Sequence, residues 1–397
     1  MTSDIGFMTA AELATAYRDG ALSPVEATKA LLGRIARLNP TLNAYNLIDE
    51  ESALRDAREA EQRWHHGKQL SPLDGVPASI KDIILTKGWP TLRGSKTVQR
   101  DQPWTEDAPV TARLREAGCV LLGKTATPEF GWKGVTDNPL SGITRNPWDT
   151  RKTPGGSSGG ASAQLAAGLA PLAIGTDGGG SIRIPAGFAG VTGLKPSFGR
   201  VPAYPISPFG TVAHIGPMAR SVEDCLLMLR EIAKPDARDW FALPWRDEDF
   251  SDRMDGDISR LKIAYSPRLG YAAVDDEVAR LVVEAVAVLA ELGAAIEEVD
   301  PPFEDPVEIF HTHWFVGAFN ALSALPEEAF AQIDPGLRET YERGRAIDMK
   351  TYLAAVATRN KLGAAMRGFH EKFDLLVTPS LPMTAFEAGR LAPINMG

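Results

Sequence analysis

Apolar residues recur along this chain in two rhythms, short unbroken runs and stripes at helical spacing. The unbroken runs lie at 76–82, 119–123, 172–176, 261–265, 295–299 and 375–378, lengths that predict strands buried on both faces. The stripes predict a helix over 9–18 closed by Gly20, a second from Ser23-Pro24-Val25-Glu26 to about Leu38, and a third from Glu51 to His66. Ser23 and Glu26 have capping-box spacing, with proline at the first helical position. Residues 275–292 carry Val278, Leu281, Val282, Ala285 and Leu289 on one side, the pattern of an amphipathic helix. Strands alternating with helices predict an α/β fold, a layered sandwich with a central mixed, mostly buried β-sheet covered by helices. We expect a single domain over 1–397, comprising an N-terminal helical segment at 1–70, a catalytic core at 71–220, and a helical insertion near the active-site face at 306–372. That last stretch breaks the strand rhythm and carries Phe310, Trp314, Phe315 and Phe319.

Composition narrows the classes of function. With 44% hydrophobic residues among 397 the chain can bury a large core, and a net charge of −9 without a basic cluster argues against direct contact with nucleic acid. Cys119 and Cys225 are the two cysteines and form no CxxC, which predicts a reducing compartment without disulfide or zinc site. Met1-Thr2-Ser3-Asp4-Ile5 has neither a basic start nor an apolar core, and no apolar run reaches about 18 residues, so we expect no signal peptide, no membrane span and a cytoplasmic location. His311-Thr312-His313 lacks nearby cysteine or a well-spaced carboxylate, so no metal is expected. Neither glycine-rich turn is followed by the lysine of a Walker A loop, and no cofactor is expected.

The candidate chemistry sits in two such turns, TPGGSSGG at 153–160 and TDGGGSIR at 176–183, each embedded in small apolar sequence that a flexible linker would lack. Hydroxyls flanked by this many glycines lie beside backbone N–H groups that a substrate can approach. Ser157 and Ser181 stand out. A serine needs a base to take its proton, and no histidine lies near either turn in sequence; the nearest after Ser181 is His214. A lysine can serve if burial lowers a pKa that is about 10.4 when unperturbed. Lys81, inside the apolar run 76–85, meets that requirement.

These segments resemble the amidase signature family of serine hydrolases. The resemblance rests on Leu73-Asp74-Gly75-Val76-Pro77-Ala78-Ser79-Ile80-Lys81-Asp82, on GGSSGG, on GGS at 179–181, on Glu129-Phe130, Asn138-Pro139 and Asn146-Pro147-Trp148-Asp149, and on Gly193-Leu194-Lys195-Pro196. It is strong over 60–220. It implies Ser181 as nucleophile, Ser157 as bridging serine after a cis peptide at Gly156, and neutral Lys81 as base. The implied reaction is hydrolysis of a small carboxylic acid amide to acid and ammonia or amine through an acyl-enzyme on Ser181. Backbone N–H groups of Gly178, Gly179, Gly180 and Ser181 are the expected oxyanion donors. Thr176, Asp177 and Arg183 are expected to support the turn, Asp177 and Arg183 as a buried or half-buried pair. Phe130, Trp132 and Phe209 are expected to line the substrate pocket.

Three alternatives compete with this reading. Gly155-Gly156-Ser157-Ser158-Gly159 satisfies the GxSxG elbow, with His214, His311, His313 and His370 downstream, but the polar, turn-rich residues 148–154 are no strand. The family also contains A-type subunits that release ammonia from glutamine inside tRNA-dependent amidotransferases. In that branch glutamine often follows Ser-Ile-Arg, where this chain has Ile184. A catalytically dead binding module is disfavoured because Lys81, Ser157 and Ser181 are all present. The expected partner is thus a small-molecule amide, and a homodimer remains open. Family members usually continue with core strands and helices beyond 377–382, whereas this sequence stops at Gly397, so an exposed strand edge and apolar surface are expected.

Overall fold

The computed structural model describes residues 4–247, 250, 254 and 256–393. It divides into two compact units, one of Met1–Asp252, Ala324–Arg338 and Ala385–Gly397, the other of Arg253–Ser323 and Glu339–Thr384.

The first unit contains strands β1 (Tyr45–Ile48), β2 (Pro77–Lys81), β3 (Val120–Thr125), the short pair β4 (Asp137–Asn138) and β5 (Gly142–Ile143), then β6 (Leu172–Asp177), β7 (Thr192–Gly193) and β8 (His214–Ala219). Six of these form one mixed sheet in the order β1-β3-β2-β6-β8-β7. β2 runs parallel to β3 on one side and β6 on the other, while β1 and β8 pair antiparallel. All five residues of β2 and all six of β3 are buried, as their unbroken apolar runs require.

Side chains alternate across the sheet. Ala78, Ile80 and Leu121 pack with Leu13, Leu114 and Met228, whereas Val120 and Leu122 pack with Ile35, Ala53 and Ala163. Full burial of each leucine or isoleucine contributes about 1.5–3 kcal/mol. The helix Pro24–Leu42 opens on the expected capping box, Ser23 Oγ accepting from Glu26 N and the Glu26 carboxylate accepting from Ser23 N. It runs four residues beyond Leu38, through Pro40, and closes at left-handed Asn43. The segment 1–70 also holds β1, so it is not helical throughout. The helix Gly159–Ala166 carries the second half of GGSSGG. A Cβ at Gly160 would stand 2.3 Å from Ala126 N and 2.5 Å from Ala44 O, so only glycine lets this helix start against the end of β3.

The second unit has a parallel sheet of β9 (Lys262–Tyr265), β10 (Ala295–Glu298) and β11 (Leu375–Val377) in the order β10-β9-β11. Its helices are Asp276–Glu291, Val307–Leu322 and Met349–Phe369. The amphipathic helix forms where expected, but its apolar stripe is little buried: Leu281 is 48% exposed and Ala285 is exposed too, while the buried residue of the helix, Val286, lies outside the stripe.

Candidate active site

Lys81 ends β2, the strand held between two parallel neighbours, and its side chain is fully buried. Nζ lies 2.7 Å from Ser157 Oγ, 2.9 Å from Ser158 Oγ and 2.8 Å from Thr176 Oγ1. A cage of hydroxyls cannot compensate a buried ammonium as a carboxylate would. Burial lowers the Lys81 pKa to about 7, and the charge of Asp177 opposes the shift without cancelling it. A neutral amine has two N–H donors and one lone pair, which matches three hydroxyl neighbours if one of them donates. Ser158 Oγ donates to Thr176 O at 3.3 Å and accepts from Thr176 N, which leaves Ser157 or Thr176 to face the lone pair.

Two glycine-rich turns deliver the serines. The Gly156–Ser157 peptide is cis, as the family resemblance implied. Its turn passes so close to 135 that a Cβ at Gly156 would lie 2.5 Å from Val135 C and O. Ser157 is 2% exposed and is backed by Gly131, where a Cβ would meet Ser157 Oγ at 3.4 Å. Ser181 follows β6 and is 6% exposed. The turns are joined directly, because Ser158 N donates to Ser181 O at 3.1 Å. Among the described residues no hydrogen bond links the Ser157 and Ser181 hydroxyls.

Asp177 organises the second turn. Its carboxylate accepts from Gly180 N at 2.8 Å and Ile182 N at 3.1 Å, and takes a bidentate pair from Arg183 at 2.9 and 2.8 Å. Burial alone would raise the Asp177 pKa, but the Arg183 contacts and the two N–H groups outweigh it and hold the value at about 2. The pair is half-buried as expected, with the Asp177 side chain at 0% exposure and Arg183 at 51%. One expectation changes. Gly180 N–H points at Asp177, which removes it from the four expected oxyanion donors and leaves Gly178, Gly179 and Ser181.

Phe130 and Trp132 lie buried on either side of Gly131, next to Ser157. This segment is tied down by Glu129, whose carboxylate accepts from Ser95 Oγ and from Asp334 N, each at 2.6 Å, and by Lys133, whose ammonium meets Asp334 at 2.9 Å and also pairs with Asp137. Phe209 is half-buried on a separate loop, where its N donates to Ser207 Oγ. Sequence reasoning gave no site role to Ser158, Glu129 or Asp334. Ser158 was detectable as the second hydroxyl of the Ser-Ser pair, whereas the pairing of Glu129 with residue 334 spans 205 positions and leaves no local signal.

The elbow alternative fails on geometry. No strand immediately precedes Ser157, and its hydroxyl meets Lys81, whereas His214 Nδ1 contacts the carbonyls of Asp177 and Val212. Among the described residues no His, Cys, Asp and Glu group could hold a metal ion, and no helix is long and apolar enough to cross a membrane.

A mixed sheet under helices, with serines on two glycine turns around one buried lysine, places the chain among the layered α/β enzymes that cleave amide bonds. It belongs to the amidase signature family: the family profile, described as Amidase, matches residues 26–396. The chain is 38% identical over 393 residues to an acylamidase of Rhodococcus erythropolis, spanning 98% of this chain and 82% of that protein. It is 36% identical over 413 residues to the A-type subunit of a glutamyl-tRNA(Gln) amidotransferase of Chloroflexus aggregans, spanning 98% and 84%. Among solved structures, a bacterial aryl acylamidase of the family superposes with a TM-score of 0.90 at 30% identity, covering 97% of this chain and 82% of that one. The peptide amidase of Stenotrophomonas maltophilia superposes with a TM-score of 0.82 at 29% identity, covering 96% and 85%. The fold is therefore the amidase signature fold, and the protein is an amidase-family hydrolase.

Proposed function

We propose that this protein hydrolyses the C–N bond of a small carboxylic acid amide to the acid plus ammonia or an amine, with Ser181 as nucleophile. The observation that carries the proposal is the fully buried lysine whose ammonium has hydroxyls and no carboxylate in direct contact. With a pKa of about 7, Lys81 is half neutral at neutral pH and can accept a proton from Ser157. Ser157 in turn takes the proton of Ser181 as Ser181 Oγ attacks the carbonyl carbon, once substrate binding closes that gap. The C–N bond then breaks as the relay returns a proton to the leaving nitrogen. Water attacks the Ser181 ester and releases the acid. The N–H groups of Gly178, Gly179 and Ser181 would receive the oxyanion, each worth about 2.7–4 kcal/mol of barrier in comparable enzymes.

Release of ammonia from glutamine within a larger assembly is the second reading, and the likeness to an amidotransferase component supports it. Ile184 favours the first. Its side chain packs over Gly155 and Gly180 beside the nucleophile and offers no polar group to a glutamine. The experiment is intact-mass analysis after a fluorophosphonate probe on wild type, Ser157→Ala and Ser181→Ala, with peptide mapping and turnover of simple amides by the isolated chain. Labelling at Ser181 with amide turnover supports the amidase. Labelling at Ser157 overturns the assignment, and labelling at Ser181 with glutamine alone as substrate favours the second reading.

A further inference from the structure

His214 faces two ways. Its Nδ1 lies 3.2 Å from Asp177 O and 2.9 Å from Val212 O. Carbonyl oxygens only accept, so Nδ1 carries the proton and Nε2 keeps its lone pair. Partial burial and the nearby Lys195 charge hold the imidazole pKa below its ordinary value, which keeps the ring neutral near pH 7. Among the described residues Nε2 has no hydrogen-bond partner.

That ring lines a cavity of about 190 Å³ within the first unit, with Phe198, Val201, Ile206, Ile215 and Phe241 as its apolar wall and the exposed Ile206 and Phe241 leaving it open to solvent. A cavity of about 150 Å³ with comparable apolar walls holds benzene, so this one has room for one aromatic ring. Phe198 stands edge-on to His214 at 5.8 Å and to Phe241 at 5.5 Å, which leaves aromatic edges and faces on the wall. Asp239 also borders the cavity, but its two oxygens are taken by Ala203 N at 2.8 Å and Phe241 N at 2.9 Å. Its carboxylate therefore fastens the two sides of the cavity, with a backbone N–H already on each oxygen. What remains is a mostly apolar pocket whose wall also carries the hydroxyls of Ser197, Ser207 and Thr211, and on which His214 Nε2 is an acceptor without a protein partner among the described residues.

We infer that this cavity is a binding site for a neutral single-ring aromatic molecule carrying one O–H or N–H donor, the donor bonded to His214 Nε2 and the ring packed against the wall that Phe198 and Phe241 form together. None of its lining residues belongs to the Lys81, Ser157 and Ser181 constellation, so the site stands whether or not the catalytic reading does. A phenol or an aniline fits the chemistry equally. A bound ligand would touch the ring that braces the Asp177 carbonyl, one backbone unit from the turn that carries Ser181.

The test is a ¹⁹F NMR titration of the whole chain with 4-fluorophenol and with fluorobenzene, which lacks the donor. Wild type should bind 4-fluorophenol saturably and roughly three- to tenfold more tightly than fluorobenzene, the advantage of one net hydrogen bond. His214→Phe should reduce that preference to none. Ala203→Phe, which adds a ring to the cavity wall and leaves His214 in the sequence, should remove binding of both probes, and its melting curve and circular dichroism establish that it folds. Ser181→Ala should bind both probes as wild type does, which separates this site from the catalytic one. Absence of 4-fluorophenol binding in wild type, equal affinity for the two probes, or unchanged binding in Ala203→Phe would each overturn the inference.

Discussion

Replacing Lys81 by methionine should make the protein more stable at acid pH while destroying its chemistry. Burial lowers the lysine from 10.5 to about 7, which corresponds to about 5 kcal/mol of unfavourable native-state free energy at pH 6. Methionine fills similar volume without that penalty but abandons contacts to Ser157, Ser158 and Thr176, costing about 1 kcal/mol each. The net expectation at pH 6 is a gain of about 2 kcal/mol. The sign with pH follows from proton counts. Between about 7 and 10.5 the unfolded chain holds the lysine proton and the native protein does not, so wild-type stability rises by about 1.4 kcal/mol per pH unit while the variant lacks this term. The advantage of Lys81→Met should vanish near pH 8.5 and reverse by about pH 9.5. Urea unfolding of both proteins at half-unit pH intervals from about 6 to 9.5 measures it. A stability difference that stays flat across that range refutes a buried lysine with a native pKa near 7, and with it the supply of neutral base.

The wild-type kcat/KM should rise about tenfold per pH unit below about 7 and level off above it, as one group must lose its proton; a stopped assay on an amide across pH 5 to 9 reads this directly. Arg183→Leu should cost about 1–2 kcal/mol at pH 7, a figure discounted because the guanidinium is half exposed. Since Asp177 is held at about 2, that contribution is present above about pH 4 and lost as pH falls through 2, so chemical unfolding should show the two proteins converging there. Gly156→Ala forces a methyl group to 2.5 Å from the backbone at Val135, and a loss of about 1–3 kcal/mol with slower fluorophosphonate labelling is expected. Incubation with a chelator should leave amide turnover unchanged; loss restored by a divalent metal would contradict a metal-free relay.

The strands were legible where the chain is apolar without interruption. The runs at 76–82, 119–123 and 172–176 became β2, β3 and β6 because a strand between two neighbours under helices has no polar face to display. β8 escaped notice, since His214-Ile215-Gly216-Pro217-Met218-Ala219 contains glycine and proline and its place is set by pairing with β6, not by propensity. β1 was hidden behind strong helix signals on both sides. At the site, the motifs singled out Lys81 and Ser157, which the fold brings within 2.7 Å of each other, yet gave no hint of the diversion of Gly180 N–H to Asp177, which depends on how tightly the turn closes. The amphipathic stripe at 275–292 was correctly read as helix, and its exposed Leu281 and Ala285 show that a stripe specifies period but not what covers it.

The backbone bond from Ser158 to Ser181 gives the protein a practical modularity. Both hydroxyl-bearing turns lie within one contiguous 153–183 block, and the lysine arrives on a rigid strand, so shifting either turn drags the other with it. Random substitution inside that block, or at Gly131 behind Ser157, should produce mostly inactive variants, whereas the loop at 196–213 can vary in sequence without touching the joint. A library aimed at new amides is best concentrated in that loop, with 153–183 held constant as a cassette.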